Sequence, residues 1–285
     1  MRLFFVLLFC AYWGVVSAQA PKSPVTVDLA QALQKKLVSI AVEATGGYHG
    51  ECLKVVCKNL TGRYLRIRIP IGQLMEPRDT AEQTLVVAAE QLLAVNAKTP
   101  VEALIQTFCA QSGDLSPARA SVFAAGAMAP QKLCDLLRFI VEKGKAGQVE
   151  AQNAVWCVTD NSSLGSVNDV ELLKYTAQLL GKPLPGYAIK RQTVSHFPGS
   201  RAEPGKAMVV EGNFRFVLDK DEKTILVLLD ATGKIIKQLS KEESMKAGEH
   251  RSGLHVEVIN LDPGHYTVRL QTKGGRVIKD LEVDF

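Results

Sequence analysis

"HYTVRLQTKGGRVIKDLEVDF", residues 265–285, decides the fold class of the last part of the chain. Two runs in which apolar residues alternate with polar ones flank the turn sequence Lys273-Gly274-Gly275. Alternation with a period of two places the apolar side chains on one face of a strand, and glycine supplies the positive φ that a tight turn needs. The stretch therefore predicts an antiparallel hairpin with one buried face.

The same pattern extends upstream from this hairpin. Short alternating runs fill residues 207–264, with turns at Asp230-Ala231-Thr232-Gly233 and Asp262-Pro263-Gly264. Strands at such regular spacing are typical of an Ig-like antiparallel β-sandwich, which we predict for residues 207–285. Residues 182–206 hold four prolines and three glycines. That composition predicts a linker, partly extended by its prolines.

The front of the chain, residues 21–181, is predicted to be a β-sandwich with a small three-helix subdomain, which makes the whole protein mostly β. Residues 21–36 are expected to be a polar lead-in. Alternating or continuous apolar runs predict strands, although helix is also open for residues 84–95. Helical spacing predicts three later helices, the last capped by Asn168 or Ser166 and ended by Gly181. The strand runs cover residues 37–44, 52–59, 64–72, 84–95 and 103–111, and the helices cover 130–144, 148–158 and 166–181.

Residues 1–20, "MRLFFVLLFCAYWGVVSAQA", have the form of a signal peptide: a basic residue, an apolar run and then small residues. Cleavage fits best after Ala18. The apolar run is shorter than the ~20 residues that span a bilayer. We therefore expect export to the periplasm, the cell surface or the medium.

Composition and motifs narrow the function. The formal net charge of +5 over 285 residues is small and dispersed, which speaks against a nucleic-acid partner. The sequence contains no Gly-x-Ser-x-Gly, His-Glu-x-x-His, P-loop or dinucleotide-binding motif. We therefore predict a non-enzymatic, cofactor-free binding protein with a protein or glycan ligand at the cell surface.

Five cysteines follow the predicted signal peptide. An oxidising compartment permits disulfides, and an odd number leaves at least one thiol unpaired. Buried free thiols are the simpler alternative. Because no second cysteine pair or paired histidines accompany the first two cysteines, we expect no metal site. The five are Cys52, Cys57, Cys109, Cys134 and Cys157.

The last quarter of the chain resembles two known families. The resemblance is carried by "VLLDATGKIIKQL" (227–239), "KAGEHRSGLHVEV" (246–258) and "LDPGHYTVRLQTKGGRVIKDLEV" (261–283). One family is the C-terminal sorting domain of the type IX secretion system of Bacteroidota, and the other is the Ig-like domain of flagellar-hook-capping proteins. The first resemblance implies recognition by an outer-membrane translocon, with the module serving in secretion, anchoring or presentation.

The front domain is similar to an uncharacterised bacterial secreted domain, on Lys58–Thr61, Ile69–Gly72, Thr107–Cys109 and Gln152–Trp156. It also resembles, more distantly, the thioester domains of Gram-positive adhesins. Those join a cysteine that follows an aromatic residue to a glutamine on a helix with a Thr-Gln-x-x-x-Trp-like sequence. In this chain Ala151 stands in place of that threonine. The resemblance implies a thioester between Cys109 and Gln152, and hence a covalent adhesin.

Two further alternatives stay open from the residues themselves. Gln152 shares a helix face with Trp156, so it could instead hydrogen-bond a strand end while the tryptophan fills the junction between helix and sandwich. His49 lies beside Glu51 in "TGGYHGE", which would suit a hydrolase. A glycine-flanked loop more often serves only as a turn.

Overall fold

The computed structural model describes residues 26–47, 49–194, 197–201 and 203–285. The predicted signal peptide lies outside these residues. Strands far outnumber helices, so the mostly-β prediction is confirmed. Among the described helices, none is long and apolar enough to span a bilayer.

In its described residues the front part contains nine strands, four α-helices and a short 3-10 helix, Leu164–Ser166. The strands are β1 Thr26–Asp28, β2 Val38–Ala44, β3 His49–Asn59, β4 Leu65–Ile69, β5 Gln73–Pro77, β6 Leu85–Val87, β7 Gln91–Val95, β8 Val101–Cys109 and β9 Val122–Met128. The helices are α1 Leu29–Gln34, α2 Gln131–Glu142, α3 Val149–Thr159 and α4 Val170–Leu180.

Two sheets pack over one core in this front part. Six strands close into a barrel in the order β2-β3-β8-β6-β5-β9, and β1-β4-β7 form a second sheet. Closure depends on β2 pairing with β9, with Val42 opposite Phe123. The alternation predicted for residues 64–72 is seen in β4, where Leu65, Ile67 and Ile69 are buried. Side chains from both sheets belong to one continuous apolar cluster.

Two expectations for the front strands are corrected. The predicted polar lead-in is wrong in its described part, because β1 and α1 place Leu29 and Ala32 in the core without solvent exposure. Residues 84–95 are neither one strand nor a helix. They form β6 in the barrel and β7 in the smaller sheet.

The three later helices, α2 to α4, form a subdomain with a second apolar cluster. The expected cap of α4 is corrected: the Asp169 side chain accepts a hydrogen bond from the Leu172 N–H at 2.9 Å, in place of Asn168 or Ser166. Gly181 ends the helix in the left-handed conformation, with φ of 67°, as its sequence predicts.

The tail consists of two antiparallel sheets around a third cluster of apolar side chains. One sheet has the order β10-β11-β15, and the other has the order β13-β12-β16-β17 with β14 also paired to β12. The strands are β10 Tyr187–Arg191, β11 Ala207–Leu218, β12 Glu222–Leu229, β13 Ile235–Gln238, β14 Glu243–Met245, β15 Gly248–Glu257, β16 His265–Thr272 and β17 Val277–Asp284.

Residues 182–206, predicted to be a linker, contact both parts of the molecule. Their strand β10 pairs with β11 and buries Ile189 completely in the tail core. Further along, the Ser116 hydroxyl donates to the carbonyl of Phe197 at 2.9 Å, and the Ser116 N–H donates to that of Ser200 at 2.7 Å. The segment therefore orients the tail against the front part.

Candidate functional site

The structure brings Cys109 and Gln152 together through the main chain of the cysteine. Gln152 Oε1 accepts from the Cys109 N–H at 3.0 Å, and Gln152 Nε2 donates to the Cys109 carbonyl at 2.9 Å. Both residues are buried. Cys109 is the last residue of β8, so the carboxamide continues the strand's hydrogen bonding, as a buried amide must. This arrangement matches the alternative in which Gln152 hydrogen-bonds the end of a strand instead of forming a thioester.

The thiol of Cys109 is poorly suited to attack the carboxamide. Burial raises the pKa of Cys109 well above its ordinary value, with a further contribution from Cys52. The thiolate is the reactive form of cysteine, and the apolar surroundings of Cys109 disfavour it. The surroundings of Cys109 therefore favour an inert core thiol.

The remaining sequence candidates do not form a cluster in the described residues. All five cysteines are buried, with none in a disulfide there. Within the described part of the chain, no group of three or more His, Cys, Asp or Glu side chains could hold a metal ion. Glu51 is exposed, while the side chain of His49 lies outside what the structure describes.

A cleft lies where the helical subdomain meets the tail. It consists of three adjoining cavities with volumes of about 870, 360 and 280 Å³. Ser163 and Asp284 line the first and second cavities, and Trp156 and Arg191 line the second and third. Cavities of ~300–1,000 Å³ at the junction of two bodies are typical of ligand sites.

Trp156 of α3 lines this cleft with an unsatisfied donor. The residue is only 2% exposed, and its indole Nε1–H has no hydrogen-bond acceptor among the described residues. Buried N–H groups nearly always have a partner, so an orphan at a cavity wall needs an explanation. The Nε1 atom itself is inaccessible to solvent, so a ligand in the cleft would contact other atoms of the indole.

Arg191, the last residue of β10, places a positive charge in the same cleft. Its Nε donates to the Ser166 hydroxyl at 3.0 Å, and its Nη1 donates to the Gly205 carbonyl at 3.0 Å. Both acceptors are neutral. Among the described residues, no carboxylate lies within ion-pair distance of Arg191. Partial burial lowers the pKa of Arg191, because desolvation penalises its charged form.

The carboxylates contributed by β17 already have partners. Asp280 accepts two hydrogen bonds from Arg269, each of 2.8 Å, while Glu282 and Asp284 each lie 2.8 Å from a nitrogen of His265. In contrast, none of the lysines and arginines that line the first two cavities pairs with a carboxylate among the residues described here. They are Lys182, Arg191, Arg215 and Lys279.

Tyr187 holds the two walls of the cleft together. Its hydroxyl lies 3.3 Å from the Ser163 Oγ and accepts from the Asp284 N–H at 3.0 Å. Its ring packs so closely on Gly165 that a Cβ there would lie 2.5 Å from the ring. The cleft is therefore built by residues of the predicted linker. Sequence reasoning missed them, although "YAIKR" (187–191) carries a short strand-like alternation around Ile189.

Comparisons with family models and with curated proteins found no relative of this chain. No family model matches the chain, and a search among curated proteins finds no significant match.

Proposed function

We infer that the protein is a secreted, non-enzymatic binding protein of the cell surface or envelope, and that the cleft between helices and tail holds its ligand. The observation that carries this proposal is the guanidinium of Arg191, which lines the cleft, is held by two neutral acceptors and has no carboxylate partner among the described residues. Donors held in a cavity by surrounding structure are a binding feature, since they orient a ligand without reacting with it.

The tail module is proposed to serve in secretion, anchoring or presentation, with a secretion translocon as a partner. Its separate apolar core supports this role, because a module with its own core can be recognised or exchanged as a unit. Its resemblance to the sorting domains of Bacteroidota points the same way.

Cell fractionation with intact-mass analysis tests the export part of the proposal. We expect an envelope or extracellular chain that begins at Gln19. Loss of the residues beyond about 207 would support a cleaved sorting signal, and their retention would support permanent presentation. A cytoplasmic chain with Met1 or Arg2 at its start would contradict export.

Hydrogen exchange tests the binding part. We expect that isolated cell envelope added to the protein slows exchange in peptides covering 153–166 and 187–191, because a ligand in the cleft restricts opening of its walls. Peptides from β13, which lies outside the cleft, serve as the control. Unchanged exchange in the cleft peptides would contradict the proposal.

A covalent adhesin is the second candidate, favoured by the contact between Gln152 and Cys109. The thioester would form when the Cys109 Sγ attacks the Gln152 carboxamide carbon and ammonia leaves, which lowers the mass by about 17 Da. The intact mass of freshly purified protein distinguishes the two. A mass equal to that of the reduced chain supports the hydrogen-bonded pair and excludes the adhesin.

A further inference from the structure

We propose that the cleft binds a ligand carboxylate, held by the guanidinium of Arg191, with the ligand's apolar body against Trp156. This inference rests on the proposed binding function and names the ligand class for it. The site has not been assigned from the sequence, where Arg191 falls in the predicted linker.

The guanidinium is held in place but not saturated. An arginine side chain has five N–H donors, and only two of them are used here, by Ser166 and Gly205. Nη2 and the second proton of Nη1 have no acceptor in the described part of the chain. A carboxylate is planar and can accept two parallel N–H bonds from such a fork, which makes it the matching group.

The charges around Arg191 favour a single negative charge on the ligand. His265 lies between Glu282 and Asp284, so this neighbouring cluster carries a net negative charge even when the imidazole is protonated. Glu150 and Glu203 also line the third cavity, and neither pairs with Arg191. These carboxylates would repel a dianion such as phosphate more strongly than a monocarboxylate, and a monocarboxylate needs only the guanidinium of Arg191 to balance its charge.

Apolar side chains define the rest of the ligand. The second cavity is lined by Trp156, Pro204 and Phe285 together with its polar groups. Its volume of about 360 Å³ suits a small molecule or the last residue of a peptide. The adjoining cavity of about 870 Å³ leaves room for a preceding chain. A small organic acid and the C-terminus of a peptide share this chemistry, because each presents a carboxylate on an apolar body.

Trp156 makes the test direct. The sequence has two tryptophans, and Trp13 lies in the predicted signal peptide, so a chain that begins at Gln19 has a single indole, that of Trp156, which lines the cavity. The probes are N-acetylphenylalanine, its uncharged amide, an N-acetylated tripeptide that ends in phenylalanine, the amidated form of that tripeptide, and inorganic phosphate. Tryptophan fluorescence is followed during each titration.

We expect a saturable fluorescence change with the carboxylates and none with the amides. Tighter binding of the tripeptide would identify a peptide C-terminus as the source, and tighter binding of N-acetylphenylalanine would identify a small acid. Arg191→Gln should weaken binding about tenfold or more, since it removes a charge-assisted bond. Arg251→Gln, which changes an exposed arginine outside the cleft, should leave affinity unchanged.

Three results would overturn the inference: equal responses to acid and amide, a response to phosphate alone, or binding that survives Arg191→Gln. The comparison of each acid with its amide is made with the chain that keeps Arg191. It therefore tests the inference even if Arg191→Gln fails to fold. If the carboxylates fail while envelope still slows exchange in the cleft peptides, the ligand class is wrong and the binding function stands. If both fail, the binding function falls as well.

Discussion

Two polar side chains, the buried Gln152 and the partly buried Arg191, differ in how their hydrogen-bonding groups are satisfied. Gln152 uses both atoms of its carboxamide on the main chain of Cys109, so its desolvation is fully compensated. Arg191 has two neutral acceptors and no anion. Because even a partly desolvated charge is costly without an anion, Gln152 is explained by the fold alone and Arg191 is not.

The five core thiols should be unreactive in the native protein. Burial raises the pKa of Cys52 and Cys57 to about 11 and that of Cys157 to about 12, so little thiolate exists near neutral pH. Ellman's reagent at pH 8 should react slowly with the native chain and quickly after denaturation, since the thiolate is the nucleophile. Fewer than five reactive thiols from residues 21–285 in denaturant without reductant would show that disulfides form.

His265 should make stability depend on pH. The hydrogen bond to Asp284, the charge of Asp284 and contacts with Glu282 raise the pKa of His265 above its ordinary value of 6.5. The imidazolium contribution is therefore complete below about pH 6.5 and is lost as the pH rises through the folded-state pKa.

Chemical denaturation at a series of pH values measures this effect. Because the groups are about half exposed, the loss should stay within about 1 kcal/mol, the range of surface ion pairs. His265→Gln should remove this part of the pH dependence. A wild-type stability that rises over the same interval would be the contrary result.

At the scale of elements, the hydrogen bonds of Asp169 and Asn168 decide which residue caps helix α4. Asp169 accepts from the Leu172 N–H at 2.9 Å and also lies 2.6 Å from the Lys145 ammonium. Asn168 instead donates to the Ile189 carbonyl at 3.4 Å, which turns it toward β10. Because Asn168 hydrogen-bonds β10, it does not cap α4, although asparagine is a common N-cap residue.

Asp169→Ala should lower the free energy of unfolding by about 1 kcal/mol, the usual cost of a lost N-cap. Urea denaturation measures the change. Asp169→Asn should recover most of it, because an asparagine oxygen can still accept from Leu172. The matched variant Asn168→Ala should cost less than Asp169→Ala, and the reverse order would restore Asn168 as the cap.

At the scale of the whole molecule, three apolar clusters organise the chain. One fills the barrel, one fills the helical subdomain, and the third belongs to the tail. The cleft lies beside the junction between the last two. Strand β10 belongs to the tail core through Ile189, while Tyr187 at its start contacts the helical subdomain through Ser163. The geometry of the cleft therefore depends on residues that join separate cores.

Fragments that differ in β10 test where the tail module begins. A chain of residues 182–285 should be more stable than residues 207–285 by at least about 2 kcal/mol, since burial of one isoleucine alone contributes about that amount. Urea denaturation followed by circular dichroism gives both values. Ile189→Ala in the full chain should cost about 2–5 kcal/mol in the tail transition. Equal stability of the two fragments would place β10 outside the module.

The amino-acid sequence by itself determined the mostly-β class, the three later helices and the alternation of the strands. These features follow from local periodicity, because burial of one face repeats every two residues in a strand and about every 3.6 in a helix. Gly181 likewise ends α4 through its own backbone freedom.

Only the tertiary structure decided closure of the barrel, the division of residues 84–95 between two sheets and the recruitment of residues 187–191 into the tail. It also placed Gln152 on Cys109, 43 positions away, and brought Arg191 to a cavity lined by Trp156. Each of these outcomes is a contact between distant segments. The free energy of such a contact depends on which surfaces meet, and no local pattern of residues records that.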